Sequence, residues 1–412
     1  MLDDIDFKDY KKKDDIHGTV LYPAVMVAPV QKKILKDIIS KNKIVSIFDP
    51  FHGSGTALYE AFEISPEIHL VGCDINPLAN LITRVKLQGV SQFIFRDIKK
   101  IEDYIKKPDG IYEYSFPNIK KWFRPDITDS LALLRTAIMD ITSDRNRLYF
   151  WYILLDVIRF NSNTRSSTYK LHIKENDKIE SMQNTVIDMF LSAAKMNVNK
   201  FKHKSDNFIL YKNDIFDIIK HFRKNTFDIS ITSPPYGENA TTVPYGQFSM
   251  LSLYTIPEYD LELEGWELDN YSIIDNRSMG GSEKSISLTD FELSLIKDYL
   301  SLISIRKQKK VIRYFKDYFY FLRELCRVTK KYVVLTLGNR TVDRIEINLV
   351  EITKKFLEKN GYKNISSVMR NIPRKRTPRV TSNVYQKPVN SMNYEYVLIY
   401  EKNNVTPDRE FS

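Results

Sequence analysis

The chain has 412 residues, 43% of them hydrophobic and 28% charged, a balance typical of a folded globular protein rather than a disordered one. This length allows two or three domains. The formal net charge of +10 favours nucleic acid or an anionic membrane surface as partner, although a solvated lysine-rich surface explains the charge equally well. Only Cys73 and Cys326 are cysteines, which excludes a disulfide framework or a cysteine zinc cluster within one chain and favours a cytoplasmic location.

Neither a secretion signal nor a membrane span is expected. The first 15 residues mix both charge signs and contain no apolar stretch. The most apolar segment, LYFWYILLDVIRF (148–160), is shorter than the ~20 residues of a membrane span and contains Asp156 and Arg159. We therefore predict a buried helix there, and nucleic acid becomes the favoured partner.

The first predicted elements form a βαβ unit. The run IVSIF (44–48) predicts a buried parallel strand, the glycine-containing segment DPFHGSGT (49–56) follows it, and ALYEAFEI (57–64) predicts a helix. A second strand, IHLVGCD (68–74), leads into a helix at PLANLITRVKLQ (77–88). This order predicts an α/β fold built on a parallel sheet.

The alternation then stops and later resumes. Long amphipathic stretches between residues 91 and 205 predict a helical insertion. Strands are predicted at NFILYKND (207–214) and FDISIT (227–232), with a helix between them. Residues 259–310 are polar and predicted to be irregular, with a turn signal at SMGGSEKS. The remaining predicted elements are a helix at 311–328, a strand at 331–337, a helix at 350–360 and strands near 365–369 and 395–400.

The segment DPFHGSGT has the context of a nucleotide-binding loop, because it follows a strand and opens a helix. Gly53 and Gly55 permit a tight turn and a close approach to a ligand. Asp74 ends the next strand, about 20 residues on, where a carboxylate accepts hydrogen bonds from ribose hydroxyls. The short GSG spacing and the absence of a P-loop lysine predict a ligand that has a ribose but need not have a pyrophosphate, as in S-adenosylmethionine. A simple tight turn is the alternative.

Asp214 ends the third predicted strand and is expected at the same carboxyl edge of the sheet. A contact to the adenine of a cofactor is one interpretation. An N-cap of the following helix is the other, and one side chain can serve both.

The stretch SITSPPYG (230–237) ends a predicted buried strand with two residues that cannot donate a backbone hydrogen bond. The strand would bring Ser233 to the carboxyl edge, the prolines would offer their carbonyls as acceptors, and Tyr236 would project beside them. Such acceptors favour attack by a planar exocyclic amine on a methyl group, because they hold its N–H groups as the nitrogen becomes tetrahedral. An aromatic ring can stack on the base. A rigid turn without catalytic function is the alternative.

Together these motifs resemble the amino-group DNA methyltransferases. DPFHGSGT is similar to the cofactor loop of the family, TSPPYG to its catalytic motif, and LYPAVMVAP (21–29) to the upstream segment that closes over the methionine end of the cofactor. The similarity covers roughly residues 17–90, 206–256 and 330–400. In this family, serine before Pro-Pro-Tyr is typical of enzymes that methylate cytosine at N4, and aspartate or asparagine there of adenine N6 enzymes.

The resemblance implies a Rossmann-like S-adenosylmethionine-dependent methyltransferase sheet of seven strands, the last antiparallel and expected at NYEYVLIY (393–400). It implies double-stranded DNA as substrate, with the target base flipped out of the stack. The implied catalytic residues are Ser233, Pro234, Pro235 and Tyr236. The implied cofactor-binding residues are Tyr22, Pro23, Asp49, Phe51, Gly53, Gly55, Thr56, Asp74, Ile75 and Asp214.

The predicted catalytic domain comprises residues 1–90, 206–258 and 311–403. The helical insertion at 91–205 falls between the second and third strands, which departs from the usual arrangement of the family and leaves the target-recognition region open. Residues 259–310 are one candidate for it.

A basic loop is expected between the last two strands. The segment RNIPRKRTPR contains Arg370, Arg374, Lys375, Arg376 and Arg379, which are predicted to contact DNA phosphates, with a solvated basic loop as the alternative. The six histidines show no metal-ligand spacing. Adenine N6 methylation, a catalytically silent nucleic-acid-binding protein on the same scaffold, and RNA as substrate are the alternatives to cytosine N4 methylation of DNA. The recognition sequence, the oligomeric state and a partner nuclease are left open by the sequence.

Overall fold

Short β-branched and aromatic runs form the central sheet in the computed structural model, which describes residues 7, 9–237, 243–263, 272–281, 285–371 and 394–403. The strands are β1 (Ser46–Asp49), β2 (His69–Cys73), β3 (Phe208–Tyr211), β4 (Phe227–Thr232), β5 (Thr329–Leu337), β6 (Arg340–Val342), β7 (Ile345–Ile347), β8 (Tyr362–Asn371) and β9 (Tyr394–Lys402). The sheet order is β3-β2-β1-β4-β5-β9-β8, while β6 and β7 form a separate hairpin.

The sheet confirms the predicted Rossmann-like methyltransferase fold. Neighbouring strands from β3 to β5 are parallel, and β9 is antiparallel to both β5 and β8. The strand expected at residues 393–400 is therefore the antiparallel strand of the sheet. Because the first strands are parallel, their carboxyl ends lie along one edge, where open α/β sheets bind ligands.

The helices connect the strands and cover both faces of the sheet. Those near the first strands are α1 (Ala28–Lys41), α2 (Thr56–Ile64) and α3 (Pro77–Gln88). Between β2 and β3 lie α4 (Ile94–Lys106), α5 (Ile119–Trp122), α6 (Pro125–Met139), α7 (Asp144–Asn161), α8 (Asn176–Glu180) and α9 (Val186–Met196). The remaining helices are α10 (Ile215–Ile219), α11 (Tyr245–Thr255), α12 (Glu258–Leu261), α13 (Ser272–Arg277), α14 (Asp290–Leu302), α15 (Ile305–Val328) and α16 (Leu349–Lys359).

Successive residues of the strands belong alternately to two hydrophobic clusters, one on each face of the sheet. In β1, Ile47 belongs to the cluster that includes the helices between β2 and β3. Its neighbour Phe48 belongs to the second cluster, where its ring stacks on Phe227 with the centroids 4.6 Å apart. Burial on both faces explains why these strands are continuous apolar runs rather than alternating ones.

The apolar segment of residues 148–160 is part of α7, and it is a buried helix as predicted. Polar contacts fix it in place, since Trp151 Nε1 donates to Asp260 Oδ2 at 2.7 Å and Arg147 Nε donates to Asp260 Oδ1 at 2.9 Å. Within the described ranges, no helix is both long and apolar enough to cross a membrane.

Three local predictions differ from the structure. Residues 259–310 are not simply irregular, because they contain α13 and α14, and α14 begins with a capping box between Thr289 and Glu292. The β6–β7 hairpin was not predicted. Its turn places Asp343 (φ 47°) and Arg344 (φ 68°) in a conformation for which glycine or asparagine is the usual sequence signal.

Arg370 is the third difference, because it lies in β8 rather than in a loop. It is paired in register with Glu395 of β9. Strand β8 therefore extends to Asn371, two residues beyond the end of the strand predicted near 365–369.

Gly55 allows α2 to begin directly behind the glycine-containing loop. It is the N-cap of α2 and has φ 71°, a left-handed conformation that is strained for other residues. A Cβ at this position would lie 2.5 Å from Cγ2 and Oγ1 of Thr83 in α3. The glycine therefore permits both the turn and the close packing of α2 against α3.

We expect Gly55→Ala to lower the free energy of unfolding by about 1 to 3 kcal/mol, since it adds left-handed strain and a clash with Thr83. Urea denaturation measures this change. Gly110→Ala is the matched control, because an added Cβ there has no atom within 4 Å. Equal effects of the two substitutions would contradict the assignment.

Candidate active site

The carboxyl ends of the parallel strands open into one cavity of about 590 Å³. Its size falls within the range of small-molecule and cofactor sites, about 300 to 1,000 Å³. It brings together most of the residues predicted from the sequence, namely Tyr22, Pro23, Phe51, Gly53, Thr56, Asp74, Ile75 and Asp214 together with Ser233, Pro234, Pro235 and Tyr236.

Asp74 connects the loop after β1 to the loop after β2, and both loops line this cavity. Its Oδ2 accepts a hydrogen bond from the Gly53 N–H at 2.9 Å, and its Oδ1 accepts one from the Asn76 N–H at 2.8 Å. Each carboxylate oxygen has about two lone-pair sites, so acceptor capacity remains on both after these bonds. Asp74 therefore positions the loop and also presents acceptors to the cavity.

Tyr22 and Tyr245 form an aromatic wall beside Asp74. The side-chain amide of Asn76 donates to Tyr22 Oη at 3.1 Å and to Ser249 Oγ at 2.8 Å. The rings of Tyr22 and Tyr245 lie 5.9 Å apart. Burial is the main reason that the pKa of Tyr22 is raised, so the hydroxyl stays neutral and keeps this network of hydrogen bonds.

Asp49 and Gly55 do not line the cavity. Asp49 is fully buried, and its Oδ1 accepts a hydrogen bond from the Phe51 N–H at 3.2 Å. Burial raises the pKa of the Asp49 carboxyl to about 7. Asp49 thus supports the loop from below.

A buried lysine, Lys86, also holds the glycine-containing loop after β1. Lys86 is 1% exposed, and its Nζ donates to the Ser54 carbonyl at 2.7 Å and lies 3.3 Å from His17 Nδ1. His17 Nε2 is 3.0 Å from Glu60 Oε1. Burial lowers the pKa of Lys86 to about 7 and raises that of Glu60 to about 7. No sequence pattern indicates these contacts, because His17, Glu60 and Lys86 lie far apart along the chain.

Asp214 is the N-cap of α10, where its Oδ1 accepts a hydrogen bond from the Phe216 N–H at 3.1 Å. It also lines the cavity. The capping interpretation is therefore observed directly, and the position is compatible with a ligand contact as well.

Ser233 and Tyr236 face each other across the turn that follows β4. Ser233 Oγ lies 3.0 Å from the Tyr236 hydroxyl. The Pro235 carbonyl accepts a hydrogen bond from the Tyr314 hydroxyl at 2.7 Å, so this carbonyl already has a partner. Its second lone pair remains, so the expectation that both proline carbonyls offer acceptors stays a prediction. Burial raises the pKa of Tyr236, which keeps its hydroxyl neutral.

Several cavity residues were missed by the sequence analysis. They are Tyr245 of α11, Asn339 directly before the unpredicted hairpin, Arg340 at its start in β6, and Lys307 and Lys310 of α15. The Arg340 guanidinium lies 5.4 Å from the centre of the Tyr314 ring, and a Cβ on Gly237 would approach Arg340 Nη1 to 2.6 Å. Gly237 in SPPYG therefore makes room for Arg340.

Of the five basic residues predicted to contact DNA, the structure describes one, Arg370. Arg370 is 5% exposed, and its Nη1 donates to Glu395 Oε2 at 2.8 Å, so it stabilises the β8–β9 pair rather than facing solvent. The other members, Arg374, Lys375, Arg376 and Arg379, lie outside the described residues.

The strand order is that of a Rossmann-like methyltransferase fold, and the cavity lies at the carboxyl edge of its parallel strands. The sequence is 29% identical over 407 residues to the Type II methyltransferase M.MvaI of Kocuria varians, an alignment that covers 91% of this chain and 88% of that protein. No protein-family model matches the sequence, and no solved structure matches it. The likeness to M.MvaI supports the methyltransferase class.

The raised pKa of Asp49 predicts a pH-dependent stability. Between its ordinary pKa of 3.8 and about 7, the folded protein binds a proton at Asp49 that the unfolded chain does not. The stability associated with this proton is complete below pH 4 and is lost as the pH rises to 7. We therefore expect wild type to lose stability relative to Asp49→Asn over this range, by up to about 1.4 kcal/mol per pH unit.

Urea denaturation of both proteins at several pH values measures this difference. Its expected course is a steady decline of wild type relative to the variant between pH 4 and 7, with a plateau above. A difference that stays constant with pH would show that Asp49 keeps an ordinary pKa in the folded protein.

Proposed function

We propose that this protein is a DNA methyltransferase that transfers a methyl group from S-adenosylmethionine to the N4 amine of cytosine in duplex DNA. One observation carries the proposal: a single cavity contains both the Asp74 carboxylate and the Ser-Pro-Pro-Tyr turn. The first supplies acceptors suited to a ribose, and the second supplies acceptors suited to an exocyclic amine. The 29% identity to M.MvaI over most of both chains supports it.

The cavity fits the cofactor by the chemistry of its donors and acceptors. Asp74 retains lone pairs for two ribose hydroxyls, and Tyr22, Phe51 and Tyr245 provide apolar and aromatic walls. Asp214 lines the cavity at the end of β3, where it could meet the adenine. When bound, S-adenosylmethionine supplies an activated methyl group to the amine.

The protein's own contribution at the reacting amine is to accept its N–H hydrogens. The Ser233 hydroxyl and the Pro234 carbonyl are the acceptors we assign, and they favour the tetrahedral nitrogen that forms during attack. Tyr236 is held 3.0 Å from Ser233 by their hydroxyl contact and offers its ring for stacking. The target base must leave the helical stack to reach this turn.

The two cysteines argue against a covalent cysteine mechanism of the kind that methylation at cytosine C5 requires. Cys73 and Cys326 are both buried, in β2 and α15. Burial raises the pKa of Cys73 well above its ordinary value and that of Cys326 to about 12. Neither thiol is therefore ionised near neutral pH, and the reactive form of cysteine is the thiolate.

The choice of cytosine N4 over adenine N6 rests on Ser233. A neutral hydroxyl can accept from the N4 amine or donate to the neighbouring ring N3, whereas an ionised aspartate only accepts. Family resemblance adds the rest of the support, because serine at this position is typical of cytosine N4 enzymes. Adenine N6 methylation is the second candidate.

We expect genomic DNA incubated with the protein and isotopically labelled S-adenosylmethionine to yield labelled N4-methylcytosine on digestion and mass spectrometry. Ser233→Ala is the matched inactive control. If labelled N6-methyladenine is the only product, the target base is adenine rather than cytosine, and the protein is still a DNA methyltransferase. The absence of methylated nucleosides in both DNA and RNA would favour a silent nucleic-acid-binding protein.

We expect Asp74→Asn to weaken the binding of S-adenosylmethionine by about 1.5 to 3 kcal/mol, because a charged acceptor is lost and one amide N–H would oppose the Gly53 or Asn76 N–H. Isothermal titration calorimetry measures the affinity directly. Asp109→Asn, on an exposed loop away from the cavity, is the control. Unchanged affinity in Asp74→Asn would remove Asp74 from the cofactor site.

A further inference from the structure

The cavity extends from the Ser-Pro-Pro-Tyr turn to the first turns of α15. Lys307 and Lys310 of that helix line it together with Arg277 and Arg340, so its rim carries four cationic side chains. Both lysines are exposed, while Arg340 is half-buried beside Gly237. The positive charge is therefore placed where a polymer would enter the cavity.

In the described part of the chain, Asp343 is an acidic residue that lines the cavity close to Lys307. Its Oδ2 accepts hydrogen bonds from the Ser304 N–H at 3.0 Å and from the Ser304 hydroxyl at 2.6 Å. These bonds, and to a smaller extent the charge of Lys307, lower the pKa of Asp343. Among the described residues, neither Lys307 nor Lys310 forms an ion pair. The first turn of α15 contains no acidic residue.

We infer that Lys307 and Lys310 bind the DNA phosphates that flank the target nucleotide when its base occupies the cavity. This inference rests on the proposed function, because it assigns a nucleic-acid backbone to the mouth of the proposed base site. A base that reaches Ser233 leaves its phosphates at the rim, and lysine is a point charge suited to phosphate without regard to sequence. These lysines would hold the backbone of the extruded nucleotide rather than read bases.

The helix itself supplies the control. Lys307 and Lys310 are three residues apart and share one face of α15. Arg306 and Lys309 are also exposed and belong to the same two turns, but they do not line the cavity. The variants Lys307→Ala/Lys310→Ala and Arg306→Ala/Lys309→Ala therefore remove the same charge from two neighbouring faces of one helix, and the first of these faces lines the cavity.

The test measures binding of both double variants to a fluorescent duplex of mixed sequence at several KCl concentrations, with bound S-adenosylmethionine analogue. We expect Lys307→Ala/Lys310→Ala to reduce the slope of log affinity against log salt by about 1.8, or about 0.9 for each phosphate contact. The Arg306→Ala/Lys309→Ala variant should retain the wild-type slope. Equal slopes in the two variants would overturn the inference.

Two further measurements separate this inference from the proposed function. Calorimetry should give the same cofactor affinity for wild type and both variants, since the inference assigns the lysines to the DNA backbone and not to the cofactor. Methylation of genomic DNA should show a raised KM and a retained kcat for Lys307→Ala/Lys310→Ala. If wild type binds cofactor and duplex but methylates nothing, the proposed function fails, while the difference in salt slope still tests the lysines.

Discussion

The carboxylate of Asp74 is the constraint on which the cavity depends. It binds the N–H groups of Gly53 and Asn76, and so it fixes the loop after β1 to the loop after β2. Asn76 extends the connection to Tyr22 and to Ser249 of α11. Four separate parts of the chain are therefore connected through Asp74 and Asn76, and Lys86 donates a hydrogen bond to the Ser54 carbonyl in the loop after β1. A ligand enters a site whose floor is already ordered.

The long helix α15 organises the other half of the cavity. Its Tyr314 hydroxyl holds the Pro235 carbonyl, and its Phe321 ring lies 5.0 Å from that of Phe51 in the glycine-containing loop. The N-terminal turns of the same helix carry the lysines of the rim. One rigid element thus links the proposed cofactor loop, the proposed catalytic turn and the entrance. A shift of α15 would change all three together.

The sequence predicts those parts of the fold and site that depend on local pattern. Strand β4 and the turn at Ser233 follow from an apolar run that ends in two prolines, and the glycine loop follows from its position between strand and helix. The β6–β7 hairpin escaped prediction because Asp343 and Arg344 adopt positive φ without glycine. Tyr245 was missed and Arg370 was placed in a loop, because tertiary contacts determine where they lie: Tyr245 packs near Tyr22, and Arg370 pairs with Glu395.

The position of β9 has a consequence for how the protein is made. This strand follows β5 and β8 in the chain but lies between them in the sheet, pairing with both. During synthesis on the ribosome, the hydrogen-bonding edge of β5 stays open until residues 394–402 have emerged. An exposed edge beside Val333 and Leu335 is a surface on which nascent chains can associate with one another. Pairing of β9 with β5 therefore removes an edge on which newly made chains could associate.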